Sequence, residues 1–334
     1  MDYSVAVTLG FLVFAIVMFA LEKIPLSITA MIVAVGLHLS GVLTATEAFK
    51  GFVDSNVILF IAMFIIGAAF FETGVAVDVG NVVNKFAKNE TILIIAIMML
   101  TGIMSGFLSN TGTAAVMIPV VIGICKKGGF NQTKFLMPIV FAAAMGGNIS
   151  LIGAPGNMIA NSNLQEAGLG SFSFFAYGEV GLPMLIIGTL FYAFIGKRFL
   201  PEVPTREPDA NYQKNADFDH VPMWKKWTAG LVLVLTIAAM IFEKQIGVSL
   251  AVSAWVGALV LVATNVIGET AAVKSIDMKT IMLFAGSMAL GDAMVKTGTG
   301  SVIADIIVNS LGASPSPIVV LVVLFVLGVF MTNF

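Results

Sequence analysis

Long apolar runs separated by short polar clusters dominate the chain, and their lengths predict its elements. Stretches at about 4–21, 27–43, 57–73, 135–164, 176–199, 227–242, 248–265 and 280–297 are apolar almost throughout. At about 1.5 Å of rise per residue, helices of these lengths cross a hydrocarbon core of about 30 Å, with tilt and snorkelling ends absorbing the mismatch. The run 135–164 is interrupted by Gly146-Gly147-Asn148-Ile149-Ser150-Leu151-Ile152-Gly153-Ala154-Pro155-Gly156-Asn157, so it predicts a broken helix. The run Thr91 to Cys125 is too long for one crossing and contains Ser109-Asn110-Thr111-Gly112-Thr113. At membrane depth a broken helix persists only where protein or an aqueous cavity receives its freed backbone groups, so this run predicts a re-entrant hairpin at about 91–125. Between Val75 and Asn89, Val79, Val82, Val83 and Phe86 alternate with Asp78, Asn84, Lys85 and Lys88, the pattern of a helix lying in the interface.

Composition fixes the solvent. Of 334 residues, 58% are hydrophobic and 11% charged, and mean hydropathy is +1.01, against roughly 25% charge in soluble domains. The fold class expected is an all-α polytopic membrane protein. Cys125 has no second cysteine to pair with, and His38 and His220 cannot build a histidine-rich metal site, so no cofactor is expected. No nucleophile has an evident base and no His-Glu-x-x-His helix occurs, which argues against an enzyme. Met1-Asp2-Tyr3 lacks the basic region of a cleaved signal peptide, so the first run is read as a spanning helix.

Charge placement orients the chain. Of 17 Lys and Arg, only Lys50, Lys244 and Lys296 fall on the side opposite the polar linker 201–226 in the predicted topology. The positive-inside bias makes the linker cytoplasmic, puts the N-terminus outside, and predicts a multi-pass protein of the plasma (inner) membrane. With four prolines and both signs of charge between Pro201 and Pro222, the linker reads as a solvated connector.

The linker separates two similar plans. Val53-Asp54, an apolar helix and Glu72-Thr73-Gly74 match Ile276-Asp277, a helix and Lys296-Thr297-Gly298; Met104-Ser105-Gly106-Phe107 matches Met331-Thr332-Asn333-Phe334. An odd number of crossings in each copy predicts inverted repeats, 1–200 and 227–334. Phe107 is followed by the Ser-Asn-Thr turn whereas Phe334 is the last residue, so the second repeat is expected to be incomplete and the chain a fragment.

The two breaks carry the candidate chemistry. Sodium takes several oxygen ligands, and small hydroxyls, an Asn side chain and freed carbonyls supply them without a full negative charge. Ser105 lies four residues before Ser109, so on the first half-helix both hydroxyls share a face. No Lys or Arg lies near either break, so an anion is expected to rely on the amides of a half-helix beginning at Thr111 and on the bound sodium. Gly146, Gly147 and Gly156 are expected to admit close backbone approach.

Ser109-Asn110-Thr111 in a hairpin, followed by the Gly146–Asn157 segment in a broken helix, resembles the divalent-anion/sodium symporters of the ion transporter superfamily. The resemblance spans essentially the whole chain. It implies a first sodium site at Ser105, Ser109, Asn110 and the carbonyl of Gly153, and a partial second site at Thr332. It further implies anion contacts at Asn110, Thr111, Ala154 and Pro155. The family often carries a hydroxyl at the position of Ala154, so sulfate-like oxyanions stay open beside dicarboxylates. The expected function is sodium-coupled symport of a small anion by alternating access; an arsenite-type permease, a sodium/proton antiporter of the same superfamily, or an anion channel are the alternatives. Expected partners are the anion, sodium, the lipid bilayer and a second copy in a homodimer, with no nucleic acid.

Overall fold

The computed structural model of the chain describes residues 2–79, 89–166, 168–200, 218 and 220–303, with 305, 316, 318, 319, 321–323, 325 and 326 beyond them. In order the helices are α1 (Tyr3–Leu21), α2 (Leu26–Leu39), α3 (Ala45–Phe49), α4 (Ser55–Glu72), α5 (Glu90–Ser105), α6 (Asn110–Gly128), α7 (Thr133–Gly146), α8 (Pro155–Glu166), α9 (Gly178–Phe194), α10 (Met223–Ile241), α11 (Glu243–Ile246), α12 (Leu250–Ala263), α13 (Glu269–Lys274) and α14 (Met278–Thr297). No strand occurs among the described residues, and the fold is that of an all-α polytopic membrane protein. By length and composition, the stretches Tyr3–Leu21, Ala45–Glu72, Met223–Ile241 and Met278–Thr297 are candidate spans, with shorter apolar helices between them.

Local sequence sets the ends. Asn89 caps α5 by accepting the amide of Ile92 at 2.9 Å, and Ser249 caps α12 in the same way. The second predicted run ends at Leu39, four residues early, because Ser40 leads into Gly41, which turns the chain at φ +79°. Of the interfacial segment expected at 75–89, residues 80–88 lie outside the described residues. So do most of the linker, from 201 to 217, and the 331–334 segment with Thr332, on which the second hairpin motif rests.

The chain divides into two compact units. The first is formed by the described parts of 1–57 and 277–334, so the two ends of the sequence pack together. In it α2 packs along α14, with α1 against both. The contact is close: a Cβ on Gly286 would overlap the backbone of Ala30. Two ion pairs, Lys50–Asp292 at 2.8 Å and Lys296–Glu47 at 2.7 Å, tie the α3 region to the C-terminal half of α14.

The second unit is 58–276. In it α5 packs chiefly against α7, α9 lies against both, and α6 lies on α7. In the same unit α10 and α12 pack on each other. Outward-facing apolar side chains are abundant, as on α9, where Ile187 is 67% exposed and Leu190, Phe191 and Phe194 are exposed beside it. Such a surface suits lipid and is unusual in a soluble monomer. At one end of this unit Lys134 pairs with Glu90 at 3.3 Å, and Lys197 donates to Thr91 Oγ1 at 2.5 Å. The N-terminus of α5, the start of α7 and the end of α9 therefore share that end.

Candidate functional site

Within the second unit both polar breaks meet. The first lies between α5 and α6 at 106–109, the second between α7 and α8 at 147–154. What joins them is glycine. A Cβ on Gly146 would overlap the carbonyl of Gly102, and one on Gly153 would sit 2.5 Å from the carbonyl of Gly147 and 3.0 Å from that of Gly106. A Cβ on Gly147 would overlap the Asn110 amide. The crossing therefore tolerates no side chain at these positions. Gly156 is different: nothing lies within 4 Å of its Cβ position, so the close approach expected there does not occur.

Ser105 is the last residue of α5 and is fully buried. Its hydroxyl lies 2.7 Å from the carbonyl of Ala143 and 2.6 Å from the Asn110 side chain. The Asn110 amide has two orientations of the same shape. With its oxygen inward, Oδ1 faces Ser105 Oγ and two carbonyls, and the single Ser105 proton cannot serve both Oδ1 and Ala143 O. With its nitrogen inward, Nδ2 has two protons to donate among Ser105 Oγ at 2.6 Å, Gly153 O at 3.1 Å and Ala143 O at 3.2 Å, and the Ser105 proton is free to serve Ala143 O. Three oxygens thus converge on one small group, and none of them carries a formal charge.

The structure brings together Ser105, Asn110 and Gly153, and adds Ala143. It does not bring Ser109 to this cluster. A continuous half-helix carrying Ser105 and Ser109 on one face is not formed, because α5 stops at Ser105 and Gly106 to Leu108 turn the chain. Ser109 becomes the N-cap of α6 instead, its exposed hydroxyl accepting the amide of Gly112 at 3.3 Å. This is the position serine prefers at a helix start. Accordingly α6 begins at Asn110 and not at Thr111. Thr111 and Pro155 are exposed, and Ala154 is half-buried directly after Gly153.

Four helix ends surround the cluster. The carbonyl ends of α5 and α7 favour a cation, while the amide ends of α6 and α8 favour an anion. Pro155 opens α8, where its missing N–H costs nothing. Aromatic packing holds the hairpin tip: Phe107 stacks on Phe174 with centroids 6.4 Å apart and meets Phe175 edge-on at 6.3 Å. Nearby, a cavity of about 460 Å³ is lined by Asn148, Phe172, Ala176, Tyr177, Val180 and Met184.

Ala143, Ser150 and Asn157 also make hydrogen bonds at the two breaks, and the sequence pattern does not single them out. The Ala143 carbonyl keeps its helical partner, the amide of Gly147 at 3.1 Å, so nothing in the sequence shows that its second lone pair meets Ser105. Ser150 and Asn157 stand in the glycine-rich segment with nothing in their spacing to show what they bond.

A family model described as a citrate transporter (CitMHS) matches residues 16–334. An uncharacterized transporter of Escherichia coli, YfbS, is 37% identical over 201 residues, 60% of this chain and 33% of that protein. An uncharacterized transporter of Synechocystis, sll0640, is 31% identical over the same shares. An uncharacterized transporter of Haemophilus influenzae is 27% identical over 315 residues, 90% of this chain and 67% of the relative. The matched region spans about a third of the first two relatives.

Proposed function

The chain belongs to the citrate transporter (CitMHS) family, and on that premise we propose that the whole protein is a sodium-coupled symporter of small carboxylates. This family and these relatives are transporters and not enzymes. The observation that carries the sodium reading is the convergence of Ser105 Oγ, Ala143 O and Gly153 O on the Asn110 amide. Without a cation the amide nitrogen satisfies these oxygens. With sodium at their centre, the amide gains by turning its oxygen inward as a further ligand. Its NH₂ then points away from the cation and becomes a donor for an anion, next to the first amides of α6 and α8. Coupling follows from this exchange, because until the cation is bound the anion site lacks both the cation's charge and the Asn110 donor.

Asn110 and Thr111 are proposed to hold the anion with the backbone at Ala154 and Pro155. The absence of a hydroxyl at Ala154 leaves the recognition there to main chain. The resemblance to the divalent-anion/sodium symporters supports the finer features: inverted repeats, alternating access, a second sodium site including Thr332, a homodimer, an inner-membrane location with the N-terminus outside and linker 201–226 cytoplasmic. The shared end of Lys134 and Lys197 supports that orientation, since both lie on the linker side in the predicted topology.

The test is uptake of labelled citrate, succinate and sulfate into proteoliposomes under inward sodium, potassium or proton gradients. Saturable carboxylate uptake driven by sodium is expected. Uptake driven equally by a proton gradient in sodium-free buffer would overturn the sodium reading, and linear, unsaturable flux would point to a channel.

A further inference from the structure

We propose that Asn157 and Ser150 are positioning residues that decide which backbone oxygens the coupling cation meets; the inference rests on the cation reading above. Two broken helices free a surplus of carbonyls around one small site, and every buried carbonyl needs a partner. The surplus is distributed selectively. The carbonyls of Met145 and Gly146 accept the amides of Asn148 and Ile149 at 3.1 and 2.9 Å. Asn157, buried in the first turn of α8, donates through Nδ2 to both Gly147 O and Ser150 O, each at 3.0 Å. Ser150, fully buried, donates its hydroxyl to Gly106 O. Ala143 O, which also accepts the amide of Gly147 at 3.1 Å, and Gly153 O are the carbonyls that face the Ser105–Asn110 pair.

Gly147 O and Gly106 O are the oxygens that most nearly compete. Both lie within 3.0 Å of the Cβ position of Gly153, beside the cluster. Held by Asn157 and Ser150, they are turned to other partners, so the cation meets a small neutral set. Released, they would enlarge and loosen that set. A cation site distinguishes ions by the number and rigidity of its oxygens. The two side chains therefore act on selectivity without touching the ion. Tyr177 belongs to the same arrangement: its hydroxyl donates to Asn157 O at 2.8 Å and so fixes the start of α8.

The experiment measures the sodium concentration for half-maximal carboxylate uptake, and the ratio of sodium to lithium activation, in proteoliposomes carrying the wild type, Asn157→Leu, Ser150→Ala or Tyr177→Phe. Asn157→Leu keeps the volume and removes both donations. It is expected to raise the half-maximal sodium concentration about tenfold and to bring the sodium-to-lithium ratio towards one, with Ser150→Ala giving about fivefold and Tyr177→Phe about twofold. A merely structural role would lower the amount of folded protein and leave the ratio unchanged. If the wild type shows no cation activation, the cation reading falls and this inference with it. If the wild type is sodium-activated and the variants keep its half-maximal concentration and ratio, this inference alone falls. Should Asn157→Leu fail to insert, Ser150→Ala and Tyr177→Phe decide: wild-type values in both overturn it.

Discussion

The α5–α7 crossing of the second unit and the α2–α14 contact of the first use the same packing device and have different consequences. Each brings helix backbones together at a glycine, Gly146 on Gly102 in one and Gly286 on Ala30 in the other. In the first unit α2 and α14 run on through the contact, so their carbonyls stay in the helical ladder and the polar groups gather at one end as Lys50–Asp292 and Lys296–Glu47. In the second unit α5 and α7 both end at the contact. Carbonyls at and just beyond those ends then accept from side chains: Ala143 O and Gly153 O meet the Ser105–Asn110 pair, Gly147 O accepts from Asn157 and Gly106 O from Ser150. Close packing by itself builds architecture; close packing at two helix ends builds a binding site.

Breaking the polar cluster is expected to have the largest effect. Asn110→Leu removes the side chain that the reading assigns to both ions, and should lower uptake about a hundredfold at limiting sodium, the scale of losing a hydrogen bond to a charged group at each. Lys296→Met in the first unit removes an exposed ion pair and should leave uptake within about twofold. Uptake by both variants at matched protein density checks the comparison. Equal losses would show that the ion-pair end of the first unit belongs to the transport machinery too.

The shared device can be broken on both sides. Gly146→Leu and Gly286→Leu each force a side chain into backbone, and both should destabilise by about 3 kcal/mol or more. The readout is the fraction of detergent-solubilised protein that stays monodisperse on heating. A tolerated Gly286→Leu would mean that α2 and α14 can separate without loss, and that only the α5–α7 crossing depends on contact.

Much of this was legible in the sequence, and the rest was not for one reason. Helix bounds follow from local demands: hydrocarbon needs continuous apolar runs, so 280–297 and 57–73 fall within two residues of Met278–Thr297 and Ser55–Glu72. The breaks follow likewise, because Ser-Asn-Thr and Gly-Gly-Asn are out of place in such runs. What spacing cannot show is which partner each freed group finds. Ser105 meets Ala143, 38 residues on, and Ser150 meets Gly106 across 44. The packing of 1–57 with the described residues of 277–334 is likewise a long-range fact. Helical periodicity carried through Gly106 sets Ser109 on the face of Ser105, whereas α5 ends at Ser105 and Ser109 caps α6.

The smallest expected effect sharpens the comparison inside the hairpin itself. Ser105 and Ser109 are chemically identical and four residues apart, yet one is buried among carbonyls and the other is an exposed cap. Ser105→Ala leaves Ala143 O and the Asn110 amide without their shared hydroxyl, and should raise the half-maximal sodium concentration about tenfold. Ser109→Ala removes only the cap on Gly112 N, which costs about 1 kcal/mol of helix stability. Its half-maximal sodium concentration should stay within about twofold of wild type, with a small fall in thermal stability as the only clear change. A large and equal shift in both variants would place Ser109 in the cation's shell after all, and would mean that the transporting state extends α5 past Gly106.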